Sequence, residues 1–148
     1  MLVFWRALSL ILLLMPMVIL QAAETEAGMG DFRAGVEAFE AGDLNAAKQR
    51  FQRAVDAGLR SPSLFYNLGV VCYQLGDYGA AESAFRSLLD GSNSALARYN
   101  LGLVALATEE SAEARRWFEQ ASAESAPDKI RTLAPAQLNK LDGGSPRM

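Results

Sequence analysis

Histidine is absent from this 148-residue chain, and cysteine occurs only once. Without histidine, the chain has no imidazole to act as a general base, to complete a serine–histidine–acid triad or to bind a metal ion. A single cysteine excludes an internal disulfide and a CxxC redox pair. Glycine-rich phosphate-binding loops are missing as well. These absences predict a protein that is not an enzyme and that binds neither a metal nor a cofactor. A hydrolase that uses serine with a lysine or a carboxylate is the remaining enzymatic alternative.

Neither sign of charge dominates the composition. Lys and Arg total 14, Asp and Glu total 17, and the formal net charge is -3. Nucleic-acid binding needs a basic patch or stripe, which the sequence does not show, so we predict no nucleic-acid partner. Hydrophobic residues make up 51% of the chain, too large a share for a disordered protein, and the length suits one domain.

One long uncharged run lies near the amino terminus. Residues 7–20 read ALSLILLLMPMVIL, after the basic Arg6 and before the small residues Ala22 and Ala23. A short basic start, an apolar run and small residues at its end are typical of a secretory signal peptide. We therefore predict that residues 1–23 are a signal peptide, cleaved after Ala22 or Ala23. An uncleaved membrane anchor is the alternative, and both interpretations place the rest of the chain outside the cytoplasm.

The rest of the chain is repetitive. The tetrapeptide Tyr-Asn-Leu-Gly occupies residues 66–69 and again residues 99–102. Three sets of residues recur at intervals of 34 and 33: Gly35, Gly69 and Gly102; Ala47, Ala81 and Ala114; and Phe51, Phe85 and Phe118. Within each copy, apolar residues follow helical spacing on both sides of a short turn. Each copy is therefore predicted to be a helix–turn–helix unit that buries its apolar face by stacking on its neighbours.

The turn between the two helices of a unit has its own signature. Gly42-Asp43 in the first copy recurs as Gly76-Asp77 in the second. Glycine ends a helix in the left-handed conformation, and aspartate caps the next helix. The third copy has Glu109-Glu110 at this place, so the pattern leaves its turn geometry undefined.

These residues resemble the tetratricopeptide repeat (TPR) family, and the middle copy matches the family pattern best. The matching residues of that copy are Phe65, Leu68, Gly69, Gly76, Tyr78, Ala81 and Phe85. The resemblance implies an all-α fold, a right-handed α-solenoid of three TPR helix-turn-helix repeats. The repeats would span about 28–61, 62–94 and 95–125. The resemblance and the signal segment together suggest a secreted or periplasmic bacterial member.

A short capping helix is predicted over 126–141, followed by a disordered tail over 142–148. The capping helix is expected to begin near Pro127. Its first part should end at about Leu133, because Pro135 is expected to interrupt the helix. Its apolar residues are expected to cover the last repeat, including Trp117 and Phe118. These covering residues are Ile130, Leu133 and Leu138.

The resemblance also implies a binding surface. In TPR arrays the first helix of each repeat lines a concave face that binds an extended peptide or a partner helix. Transfer of that spacing gives a partner-binding groove of Phe32, Phe39, Tyr66, Asn67, Tyr73, Tyr99 and Asn100. Tyrosine rings supply contact area with polar tips, and asparagine amides bond to a peptide backbone. The alternative is that these side chains simply pack between neighbouring hairpins. Cys72 lies in the apolar stripe of its helix and is expected to be a buried structural thiol.

One TPR subclass is predicted to be excluded. Its members hold chaperone tails with a carboxylate clamp of lysine, asparagine and arginine side chains. Of the clamp positions only Asn67 agrees, while the others are Phe32, Val36, Leu96 and Asn100.

The expected function is a non-enzymatic interaction scaffold in the bacterial cell envelope. Its partner would be another protein or peptide of the envelope, in assembly, secretion or polysaccharide export. An inner-membrane-anchored subunit of a larger envelope complex, facing the periplasm, is the alternative. The sequence leaves homo-oligomerisation open, and it predicts membrane contact only through an uncleaved first segment.

Overall fold

The computed structural model describes residues 25–123 and 126–143. Within these ranges the chain forms seven helices and no strand. The helices are α1 (25–40), α2 (Leu44–Asp56), α3 (Pro62–Gln74), α4 (Tyr78–Arg86), α5 (Ser94–Ala107), α6 (Ser111–Ala121) and α7 (Asp128–Leu141). The predicted signal peptide over 1–23 and most of the predicted tail lie outside the described residues. None of the helices in the described ranges has the length and apolarity needed to cross a bilayer.

The helices form three antiparallel pairs that stack in chain order. The pairs are α1 with α2, α3 with α4, and α5 with α6, and α2 packs on α3 as α4 packs on α5. The last helix, α7, packs on α6 and contacts α5. This is the predicted all-α right-handed solenoid of three helix–turn–helix repeats with a capping helix.

In each pair, a phenylalanine of the second helix packs against a glycine of the first. A Cβ atom added to Gly69 would lie 2.6 Å from the Phe85 ring. A Cβ atom added to Gly35 would lie equally close to the Phe51 ring, and one added to Gly102 equally close to the Phe118 ring. All three rings are buried, with at most 1% of their surface exposed. The repeated glycines therefore let the second helix of each pair approach the first closely enough for a ring to fill the contact.

The three interhelical turns share one backbone geometry despite their different sequences. The amide nitrogens of Asp43, Asp77 and Glu110 each donate to the carbonyl oxygen five residues earlier, at 2.8–2.9 Å. Gly42 and Gly76 adopt φ of 81° and 76°, as predicted. In the third turn Glu109 takes this place with φ of 64°. A side chain in this left-handed region costs about 1 kcal/mol, which the surrounding packing must offset.

The capping helix corrects one prediction. Pro135 does not interrupt α7, which runs without a break from Asp128 to Leu141. Proline removes one backbone hydrogen bond and crowds the preceding turn. Its cost is offset because Ile130 and Ala134, just before it, are buried against α6 and its neighbours.

The apolar residues of α7 fall on two sides. Leu138 packs with Ile130 and Ala134 against the last repeat, as predicted for a cap. Leu133 lies outside this cluster and lines a cleft together with Leu96 and Tyr99 of the last repeat. Trp117 contacts both the cluster beneath α7 and the main core, which extends from the first repeat into α5 of the third.

Candidate functional site

A cleft with a volume of about 350 Å³ opens between α3, α5 and α7. It is called the α5–α7 cleft below. Its lining residues are Tyr66, Ser92, Asn93, Leu96, Tyr99, Asn100, Pro127, Lys129, Ile130 and Leu133. Three of the residues predicted to bind a partner, Tyr66, Tyr99 and Asn100, therefore come together in one cleft.

Tyr66 and Tyr99 both pack against the core and line the cleft. The Tyr99 ring centre lies 5.6 Å from that of Phe118, and the Tyr66 ring centre lies 6.4 Å from that of Phe85. Gln137 of α7 donates a hydrogen bond of 3.5 Å to the Tyr99 hydroxyl. Both rings remain partly exposed and line the cleft. Because both rings are fixed by contacts with the core, little side-chain entropy is lost when a ligand binds to them.

The asparagines of the repeated tetrapeptide differ in their surroundings. The Asn100 amide Nδ2 donates to the backbone oxygen of Leu96 at 2.9 Å, one helical turn earlier. Its amide oxygen keeps its acceptor capacity, and Asn100 lines the cleft. Asn67 is partly buried on α3 and does not line the cleft.

The other predicted groove residues lie away from the α5–α7 cleft. The Phe32 ring centre lies 5.9 Å from that of Phe51 within the first repeat. Tyr73 packs edge-on against Tyr78, with ring centres 5.7 Å apart. Phe39 is partly buried against the same core. The predicted groove is therefore divided, and only its carboxyl-terminal end is part of this cleft.

The sequence-based prediction missed the contribution of α7 to the site. Pro127, Lys129, Ile130 and Leu133 form one wall of the cleft. A signal for Leu133 was present, because Ile130, Ala134, Leu138 and Leu141 already form a complete core stripe at helical spacing. An additional leucine off that stripe indicates a second apolar surface on the same helix.

The cleft is nearly free of charge. Helix α3 contains no charged residue, and the only one in α5 is Arg98, which does not line the cleft. Among the described residues that line the cleft, Lys129 is the only charged one. Its ammonium group forms no ion pair within the described ranges.

Ionisable groups elsewhere serve the contacts between repeats. The Lys48 ammonium of α2 lies 2.5 Å from an Asp77 carboxylate oxygen at the start of α4. This hydrogen bond lowers the pKa of Asp77 and raises the pKa of Lys48. Cys72 is buried and free, as predicted, and burial raises the pKa of its thiol. Within the described residues there is no group of three or more metal-ligating side chains.

The comparisons with known proteins identify the family. The family model described as "tetratricopeptide repeat" matches residues 32–95 and 90–129, well over half of the chain. The chain therefore belongs to the tetratricopeptide repeat family, whose fold is a protein-interaction scaffold.

Solved structures support the same fold. The N-terminal domain of stress-induced protein-1 (STI-1) from C. elegans is 14% identical, with a TM-score of 0.66, over 81% of this chain and 98% of that one. The first TPR of Spaghetti (RPAP3), bound to the HSP90 peptide SRMEEVD, is 20% identical, with a TM-score of 0.68. That match covers 81% of this chain and 94% of the other. At these identities the likeness shows the fold alone. No curated protein sequence matches this chain at a significant level.

Proposed function

We propose that this protein is a non-enzymatic scaffold that holds a segment of another protein in the α5–α7 cleft. One observation carries the proposal: Tyr66 and Tyr99 line the same apolar cleft as Leu133 of the capping helix. Rigid aromatic rings beside aliphatic side chains are typical of the anchoring positions of protein interfaces. A cleft of this size accommodates one or two side chains of a partner segment.

The ligand that we propose differs from that of the peptide-bound neighbour. The Spaghetti (RPAP3) domain binds the HSP90 peptide SRMEEVD. The clamp for such a tail needs lysine, asparagine and arginine side chains at five positions. In this chain only Asn67 agrees, and the other four positions hold Phe32, Val36, Leu96 and Asn100. We therefore propose an apolar anchor on the partner in place of a carboxyl-terminal tail.

We also propose that the protein acts in the cell envelope of a bacterium. The support is the composition of residues 1–23, which matches a signal peptide. Its partner is then an envelope protein engaged in assembly, secretion or polysaccharide export. Intact mass of the protein purified from the membrane and periplasmic fractions tests the address. Loss of 22 or 23 residues supports export and cleavage, whereas a full-length mass in the membrane fraction supports the anchored alternative.

Capture of the partner tests the cleft. The whole chain, tagged at its carboxyl terminus, is used as bait for envelope extract beside a Leu133→Asp variant. Leu133 is suitable because it lines the cleft without belonging to the core cluster. Alanine at Tyr66 or Tyr99 is less suitable, because it removes a ring that packs on Phe85 or Phe118. We expect the variant to lose the captured partner, since a carboxylate in an apolar contact is costly to desolvate.

The matched control is Met29→Asp. Met29 is the exposed large hydrophobic residue of α1, with 40% of its surface accessible, and it does not line the cleft. It should retain the partner. Equal capture by wild type and Leu133→Asp, with both folded by circular dichroism, would contradict a binding role for the cleft.

A further inference from the structure

The charge distribution around the α5–α7 cleft is unlike that of the whole chain. Acidic residues outnumber basic ones by 17 to 14 in the whole chain, yet no acidic residue of the described ranges lines the cleft. The only charged residue in its described lining is Lys129. A cleft whose other lining residues are uncharged and which carries one cation discriminates between partner segments by the sign of their charge.

The neighbouring acid does not neutralise this lysine. Asp128 precedes Lys129 in the chain, but its carboxylate lies 2.5 Å from the Arg131 guanidinium. No other carboxylate of the described residues pairs with Lys129. As far as the described residues are concerned, its ammonium is therefore not engaged by a carboxylate.

From this arrangement we propose that the cleft selects a segment in which an acidic side chain lies next to a large apolar one. The apolar side chain occupies the space between Leu96, Tyr99 and Leu133, and Lys129 binds the carboxylate. This inference rests on the proposed function, because it names the partner chemistry of the same cleft. It concerns an acidic side chain within a segment, and it requires no free carboxyl terminus.

The polar groups of the cleft fit such a ligand. Tyr66 and Asn93 line the same cleft as Lys129, and a tyrosine hydroxyl and an asparagine amide are both able to donate hydrogen bonds to carboxylate oxygens. The Asn100 amide nitrogen already donates to the Leu96 carbonyl oxygen, and the amide oxygen of Asn100 can accept a hydrogen bond from a backbone N–H of the segment. The lining thus offers both polar partners for the carboxylate and aliphatic contacts for the anchor.

Selection from a random-peptide phage library tests the inference with defined probes. The baits are the whole chain as wild type, Lys129→Glu and Lys140→Glu. Lys140 is the matched control, because it is an exposed lysine of the same helix and does not line the cleft. We expect wild type and Lys140→Glu to enrich Asp or Glu beside Leu, Ile or Phe. Lys129→Glu should lose the acidic preference or reverse it toward Lys and Arg.

Affinity of one enriched peptide gives a second readout. A fluorescein-labelled copy should bind Lys129→Glu about ten-fold more weakly than wild type by fluorescence anisotropy, since attraction becomes repulsion at a partly solvated site. Lys140→Glu should remain within about two-fold of wild type, because exposed charges outside the contact are screened.

Three other outcomes are decisive. Apolar peptides that require Leu133 but show no acidic preference would overturn this inference and leave the proposed function standing. An acidic preference that persists in Lys129→Glu would also overturn it. Peptides whose binding is insensitive to Leu133→Asp, or no enrichment at all, would overturn the proposed function together with the inference.

Discussion

The guanidinium carbon of Arg86 lies 5.5 Å from the centre of the Trp117 ring, and this contact joins the second repeat to the third. Arg86 is held there by Glu82 of its own helix at 2.6 Å, and Glu113 of α6 lies 3.7 Å away. The Trp117 indole nitrogen in turn donates to Glu113 at 3.1 Å. Trp117 therefore packs against both cores and also contacts a cation held in place by two glutamates.

Replacement of Arg86 by methionine tests this junction. Arg86→Met keeps an apolar stem over the indole ring and removes the cation, so we expect a loss of about 0.5–1 kcal/mol in the free energy of unfolding. Urea denaturation followed by circular dichroism measures it. Arg116→Met is the control, because Arg116 is an exposed arginine of α6 without an ion pair in the described chain. Equal stabilities of the two variants would contradict a contribution from the Arg86–Trp117 contact.

The third interhelical turn offers a stabilising substitution. Glu109 has φ of 64°, the conformation that Gly42 and Gly76 adopt in the other turns. Glu109→Gly should raise the free energy of unfolding by about 1 kcal/mol, because glycine adopts this conformation without steric strain. Gly76→Ala is the reciprocal control and should lower it by a similar amount. A thermal melt in which Glu109→Gly is no more stable than wild type would show that relaxed packing elsewhere absorbs the strain.

The helix that follows this turn lacks a side-chain cap. Glu110 is its N-cap and makes no capping hydrogen bond, whereas Asp43 and Asp77 bond to Ala46 and Ala80. Glu110→Asp should add about 1 kcal/mol of stability, since the shorter side chain reaches the amide at the third helical position. Glu110→Ala is the control that removes the carboxyl without adding a cap. Equal melting temperatures of the aspartate and alanine variants would exclude a capping effect.

The glycine–phenylalanine contact predicts opposite effects of one methyl group at two sites. At Gly69 an added Cβ would lie 2.6 Å from the Phe85 ring, so Gly69→Ala should destabilise the protein by about 1–3 kcal/mol. At Gly79 nothing lies within 4 Å of the added atom, and Gly79→Ala should stabilise α4 by about 0.5–1 kcal/mol. Chemical denaturation of both variants checks the pair. Similar destabilisation at both sites would mean that backbone effects, and not the ring, explain the repeated glycine.

The ion pair between Lys48 and Asp77 predicts a pH dependence. Its hydrogen bond lowers the pKa of Asp77, so that contribution to stability is present above the unfolded-state pKa of aspartate and is lost as pH falls through the folded-state value. The pKa of Lys48 is raised, so its contribution is present below the unfolded-state pKa of lysine and is lost as pH rises through the folded-state value. Lys48→Met should therefore be less stable than wild type at neutral pH, with the difference shrinking at both extremes.

A lysine without an ion pair supplies the control for this pH profile. Lys140→Met removes an exposed ammonium that has no partner in the described residues, and its stability should follow wild type across the range. Melting temperatures measured at a series of pH values distinguish the two variants. A difference between wild type and Lys48→Met that does not change toward low pH would contradict the proposed coupling to Asp77.

The candidate site was predictable in part. Tyr66, Tyr99 and Asn100 follow from the repeat, because equivalent residues of stacked repeats occupy equivalent places on the first helices. Their division from Phe32, Phe39 and Tyr73 was not predictable, because it depends on where α7 lies. The contact of Gln137 with the Tyr99 hydroxyl spans 38 residues and has no local signature.

The repeating elements follow from the sequence alone. Helix spacing, the Gly76-Asp77 turn and the recurrence of Gly69 and Phe85 are visible in it, and because each pattern recurs, one supports another. The contact of the Phe85 ring with Gly69 itself is a finding of the structure.

Features that occur once depend on packing between distant parts of the chain. Pro135 remains inside α7 because burial of Ile130 and Ala134 against the third repeat outweighs a missing hydrogen bond. Glu109 adopts a glycine conformation because both flanking helices are already fixed by their cores. Leu133 and Lys129 reach the α5–α7 cleft because α7 packs on the last repeat. The position of this capping helix is set by packing between elements, which no local sequence pattern encodes.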